Sequence, residues 1–169
     1  MRWYEEYMRL SEEYMLTRDI DWFCCVEGRY LMHFASNGSI LPEFAANIEQ
    51  LSFAQRTVIR MPFLIQDQEE LRYNRGHIEE LSRLEEYDEI RYLSSFELFA
   101  SKGFYSFDYE WNREGEGGEY RLIVGPGRRI NDPEIEYFGS FLPQVDMREL
   151  NERDRSMFER ILDQIRRIE

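Results

Sequence analysis

Apolar residues recur at three- and four-residue spacing from the start of the chain. Trp3, Tyr7, Leu10 and Tyr14, with Tyr4, Met8 and Met15 beside them, predict an amphipathic helix over residues 2–16 with a broad apolar stripe. Thr17 to Asp19 breaks it. The most apolar stretch of the chain follows, Asp19 to Pro42, and it reads as two strands, about 20–26 and 29–35, closed by Asn37-Gly38 and a proline. A two-residue turn at Glu27-Gly28 would set Val26 opposite Arg29, Cys24 opposite Leu31 and Trp22 opposite His33. Both faces of that hairpin are largely apolar, which predicts a central position covered on both sides.

From Pro42 the spacing is helical again, with Phe44, Ile48 and Leu51 on one face and Val58 near it, until Pro62 stops the segment at Met61. Residues 67–89 read as acidic helix interrupted at Asn74 to Gly76, and the helical spacing of Leu93, Phe96 and Ala100 runs on to Lys102-Gly103. The period then becomes two. Tyr105, Phe107, Tyr109 and Trp111 alternate with Ser106, Asp108 and Glu110, predicting a half-buried strand over 104–111 whose partner, 120–124, returns after a glycine-rich loop. Residues 125–143 read as mostly loop, limited by Pro133 and Pro143. Asp146 and Glu149 have capping-box spacing before a last helix carrying Leu150, Phe158, Ile161, Leu162, Ile165 and Ile168. These elements predict one α+β domain over residues 1–169: an antiparallel sheet of two hairpins packed against amphipathic helices, the terminal ones included.

Composition narrows the classes. The 169 residues carry 43% hydrophobic and 15% aromatic side chains, enough for a core without disulfides. Cys24 and Cys25 are adjacent, so they form no disulfide framework and no shared metal site on a strand. The amino terminus carries glutamates where a signal peptide needs an apolar core, and no apolar run approaches the roughly 18–20 residues of a membrane span. A cytoplasmic location and no membrane are therefore expected. A net charge of −13 disfavours nucleic acid and favours a basic protein partner.

The chemistry-bearing residues support little catalysis. Asp21, Cys24 and His33 could line an enzyme pocket at the open end of the first hairpin, but the register above holds Cys24 only diagonally across from His33 and turns Cys25 away. No metal-ligand spacing occurs, and no cofactor is implied. Gly125-Pro126-Gly127-Arg128-Arg129 lacks the lysine and spacing of a nucleotide loop and reads as a turn. The interaction feature is the acidic run, in which Asp67, Glu69, Glu70, Glu79, Glu80, Glu85, Glu86, Asp88 and Glu89 face only Arg72, Arg75 and Arg83, with Tyr87 among them as an aromatic anchor.

Two stretches, DWFCCVEGRYLMHFASNGSILP and YLSSFELFASKGFYSFDYE followed by YRLIVGPGRRI, resemble a group of uncharacterised bacterial proteins with H-F-A-S-x-G and K-G-[FIL]-Y-S-F-D stretches. Their layout is similar to that of small acidic immunity proteins, which neutralise toxins of competing bacteria by covering them. The resemblance implies a non-enzymatic, immunity-like binding protein that docks its acidic face on a basic partner, and it supplies no catalytic residues. A small cytoplasmic enzyme and a structural subunit, homodimeric through exposed aromatics, are the alternatives.

Overall fold

The computed structural model describes residues 8–128 and 130–169; most of the first predicted helical turns, residues 2–7, lie outside the described residues. Of the rest of that predicted helix, residues 8–11 are not helical, Arg9 bridging to Asn47, and only α1, Glu12–Leu16, capped by Ser11, is. The first hairpin is β1, Asp21–Val26, and β2, Tyr30–Ala35. Helix α2, Ile48–Arg60, starts at the Asn47 cap and ends before Pro62. Strand β3, Leu71–Tyr73, helix α3, Arg75–Leu81, and helix α4, Glu89–Ser101, replace the predicted acidic helices. The second hairpin is β4, Tyr105–Trp111, and β5, Gly118–Pro126. Helix α5, Asp132–Gly139, strand β6, Gln144–Val145, and helix α6, Glu152–Ile168, complete the chain.

The α+β class holds. The two hairpins sit in one sheet of order β3-β5-β4-β2-β1-β6. They are joined by parallel pairing of β2 with β4, in which His33 lies beside Ser106 and Ala35 beside Asp108. The sheet is thus mixed, mostly antiparallel with parallel pairs at β2–β4 and β1–β6.

Hairpin register departs from the sequence expectation by one residue. Glu27 and Gly28 both have positive φ, and Arg29 N–H bonds back to Val26 O at 3.0 Å, as a two-residue turn requires. Yet Tyr30, not Arg29, pairs with Val26, and Phe23 pairs with His33. Arg29 is an extra residue, so every β2 side chain changes face. His33 therefore shares a face with Asp21, Phe23 and Cys25, and Cys24 lies on the other.

Both faces are covered. On one, Phe23, Cys25 and Leu31 pack with Leu93, Phe96 and Phe99 of α4 and with Val58 of α2. On the other, Trp22, Cys24, Met32 and Phe34 pack with Phe158, Ile161 and Ile165 of α6. Trp22 stacks on Phe34 at 4.1 Å between centroids, and its indole N–H donates to Tyr120 Oη at 3.0 Å, so the buried ring keeps its polar handle satisfied. Lys102 is buried under the end of α2, where Nζ donates to Val58 O at 2.9 Å and Ile59 O at 3.0 Å. A cation on a helix's last carbonyls meets the negative end of its dipole. Residues 132–139 are helical where a loop was expected: Asn131 caps the helix, and Pro133 stands in its first turn, where the missing N–H costs nothing.

Candidate functional site

Two regions carry polar groups worth a functional reading. The first is built by the corrected register. Asp21 at the start of β1, His33 on β2 and Ser106 on β4 line up across three strands of one face. His33 Nε2 is 2.8 Å from Asp21 Oδ1, and Nδ1 meets Ser106 Oγ. Burial holds the imidazole below its ordinary value against the opposing pull of Asp21 and, more weakly, Asp19. The ring is then neutral, with Nε2–H donating to the carboxylate and Nδ1 accepting from the Ser106 hydroxyl.

These are the residue types of a nucleophilic triad, in the reverse order of exposure. Ser106 is fully buried and His33 1% exposed, whereas the Asp21 side chain is 51% exposed. A groove of about 410 Å³ opens beside them, lined by Tyr14, Arg18, Asp21, Phe23, Gln55 and Phe99. A molecule in that groove meets the carboxylate and not the hydroxyl, so Ser106 cannot attack it. The chain of bonds satisfies a polar row inside an otherwise apolar core. Sequence reasoning named Asp21 and His33 and missed Ser106, 73 positions from His33 and brought to it only by the parallel pairing.

The cysteines fall outside this row or are inert within it. Cys24 is fully buried in the α6-side core, on the opposite face from His33, so the pocket of Asp21, Cys24 and His33 does not form. Burial raises its thiol well above the ordinary value, and that of Cys25 to about 11. Neither supplies thiolate near neutrality.

The second region is the acidic run, which is not one helical face. Asp67, Glu69 and Glu70 belong to a single 3-10 turn, residues 68–70, capped by Asp67. Glu79 and Glu80 end α3, Glu85, Glu86 and Tyr87 lie in the turns that follow, and Asp88 caps α4 ahead of Glu89. All nine carboxylate residues are exposed and Tyr87 is half-buried. Strand β3, about 10 Å long, separates the first three acids from the remaining six. Among the described residues only Glu80 of the nine has an arginine within 4 Å, Arg121 at 3.8 Å, and the His77 ring, which burial holds below its ordinary value, lies 3.7 Å from it. Leu84 and Ile90 stand among the six acids at 61% and 85% exposure. Tyr87 packs its ring on Tyr92 at 5.4 Å, fixing the turn against α4.

Among the described residues no cluster of three metal-ligating side chains occurs, and no helix is long and apolar enough to cross a membrane. In comparisons with known proteins, no family model matches the chain, and no curated protein or solved structure matches it.

Proposed function

We propose that this chain is a cytoplasmic, non-enzymatic binding protein that docks a basic protein partner through the surface from Glu79 to Ile90. One observation carries the reading: two exposed aliphatic side chains, Leu84 and Ile90, sit among carboxylates that have almost no cation of their own. Exposed apolar anchors ringed by one sign of charge suit a partner whose lysines and arginines surround an apolar depression. Covering such a partner is how an immunity-like protein would act, and it needs no reactive group on this side. Asp67, Glu69 and Glu70 extend the negative field and steer approach.

The test is capture from the native host with two baits, the wild-type chain and a Glu85→Lys/Glu86→Lys/Ile90→Ser variant, at low and high salt. The reading expects a basic protein retained by the wild type at low salt, released at high salt, and lost from the variant. Equal capture by both baits, or capture indifferent to salt, overturns it.

A homodimer is favoured by a different surface. Phe53, Tyr137 and Phe141, at 48%, 62% and 38% exposure, border a shallow groove of about 670 Å³ between α2 and α5. Sedimentation of the wild type against Phe53→Ser/Tyr137→Ser decides between dimer and monomer.

A further inference from the structure

At the end of the sheet where β2, β3 and β4 begin and β5 ends, a cavity of about 340 Å³ is rimmed by three arginines. Arg29 is the extra residue of the first hairpin, Arg72 is the middle residue of β3, and Arg128 follows β5 after Gly127. We infer that this cavity binds a small phosphate monoester, with the arginines taking the phosphate and the apolar wall taking its organic body.

Three features support it: arginines without a carboxylate partner, a backbone that gathers them, and an apolar floor. Among the described residues, none of Arg29, Arg72 and Arg128 has a carboxylate within 4 Å, although the three surround one cavity. Each guanidinium offers a planar donor fork that matches the oxygens of a phosphate dianion.

The backbone is shaped to bring them together. Gly127 packs so closely on Glu70 O that a Cβ there could not be accommodated, and its position lies 3.2 Å from Arg72 Cγ. Arg128 is then pinned by donating from Nη2 to Leu64 O at 2.6 Å, which leaves its other donors for a ligand. A Cβ at position 125 would strike the Tyr105 ring at 2.5 Å, so glycine lets β5 pack directly against that ring.

Two carboxylates share the wall, Glu169, which accepts from Tyr105 Oη at 3.1 Å, and Asp132, which interacts within the protein, and the three arginines outnumber them. The floor is apolar, with Leu31 and Ile135 buried and the edge-to-face pair Tyr30–Tyr105 at 5.9 Å offering ring surface. The volume lies at the small end of the range for small-molecule sites. This excludes nucleotides larger than the cavity and favours a compact ester.

The experiment uses the full chain, amide-resolved NMR and phenyl phosphate as probe, with phenol and inorganic phosphate alongside. Saturable shifts at the amides of Arg29, Arg72, Gly127 and Arg128 are expected for phenyl phosphate, weaker ones for inorganic phosphate and none for phenol. Arg29→Gln and Arg72→Gln each weaken phenyl phosphate at least tenfold, while Arg113→Gln, in the β4–β5 loop, leaves it unchanged. The first two side chains make no hydrogen bond among the described residues, and an unchanged amide spectrum verifies the fold. Absence of saturable shifts at those amides overturns the inference, as does unchanged affinity in the Arg29→Gln/Arg72→Gln chain or equal weakening by Arg113→Gln.

Discussion

Asp108 is a carboxylate that the fold holds more easily without its charge. Burial raises it from an ordinary value of 3.8 to about 6, against the lowering effect of the Tyr92 hydroxyl, which donates to Oδ2 at 2.6 Å. A folded-state value above the unfolded one means that the folded chain binds the proton more tightly. This contribution is full below pH 3.8 and is lost as pH rises through 6. Asp108→Asn keeps an acceptor for Tyr92 and removes the charge. The unfolding free energy from urea titration should then rise by about 1–3 kcal/mol at pH 8 and hardly change at pH 3.5; a variant weaker at pH 8 contradicts the assignment. His33 works in the opposite sense. Its folded value is depressed, so its contribution is present above pH 6.5 and falls as the medium is acidified below that value. Ser106→Ala leaves Nδ1 without a donor and should cost about 1–3 kcal/mol. Both thiols should resist an aromatic disulfide reagent until the chain is unfolded, because Cys24 and Cys25 are 0% and 2% exposed; prompt native labelling of either sinks the buried assignment. Residue types in this row were legible in the sequence, since Asp21, His33 and the alternation of β4 stand out there. Their grouping was not, because it depends on a parallel pairing and on one extra residue in a turn, neither of which leaves a local pattern.

Elements with a strong period were legible, and those held by tertiary contacts alone were not. Helix α4 and both hairpins follow their apolar spacing to within a few residues, while α2 and α6 start later than expected, at the Asn47 and Asn151 caps, and Asp146 caps a separate 3-10 turn, not the last helix. Strands β3 and β6 have three and two residues, too short to show any period, and β3 carries the exposed Arg72 within an acidic run. The turn of the first hairpin offered the right residues at Glu27-Gly28 while concealing that Arg29 belongs to neither strand. Glycine substitutions separate two kinds of constraint at this scale. Gly28 has φ +59 and open space around its missing Cβ, so Gly28→Ala should cost only the backbone term, about 1 kcal/mol. Gly127 faces Glu70 O with no room for a methyl, so Gly127→Ala must move β5 away from the turn before β3. Thermal unfolding should show the larger loss at position 127. Equal losses would mean that the close approach of the two segments is not held in solution.

Across the whole molecule, the charge and the core pull in different directions. Two apolar layers on a shared sheet stabilise the fold, while a net charge of −13 repels itself over the surface. Raising salt shortens the screening length from about 30 Å at 0.01 M to about 8 Å at 0.15 M, so the melting temperature should climb over that range. The carboxylates between Glu79 and Glu89 add to the repulsion with little local compensation. Glu85→Lys/Glu86→Lys exchanges two such charges, at exposed positions with no ion pair among the described residues, and brings the net charge to −9. If those acids serve a partner and not the fold, this variant melts higher than the wild type at 0.01 M salt, and the gap narrows at 0.15 M. Partner capture, in contrast, weakens. A lower melting temperature at both salts would mean that the turns after α3 need these acids for their own structure, and the docking surface would then have to lie elsewhere. Stability and binding moving in opposite directions is the signature that separates a surface kept acidic for a partner from one that is acidic for solubility alone.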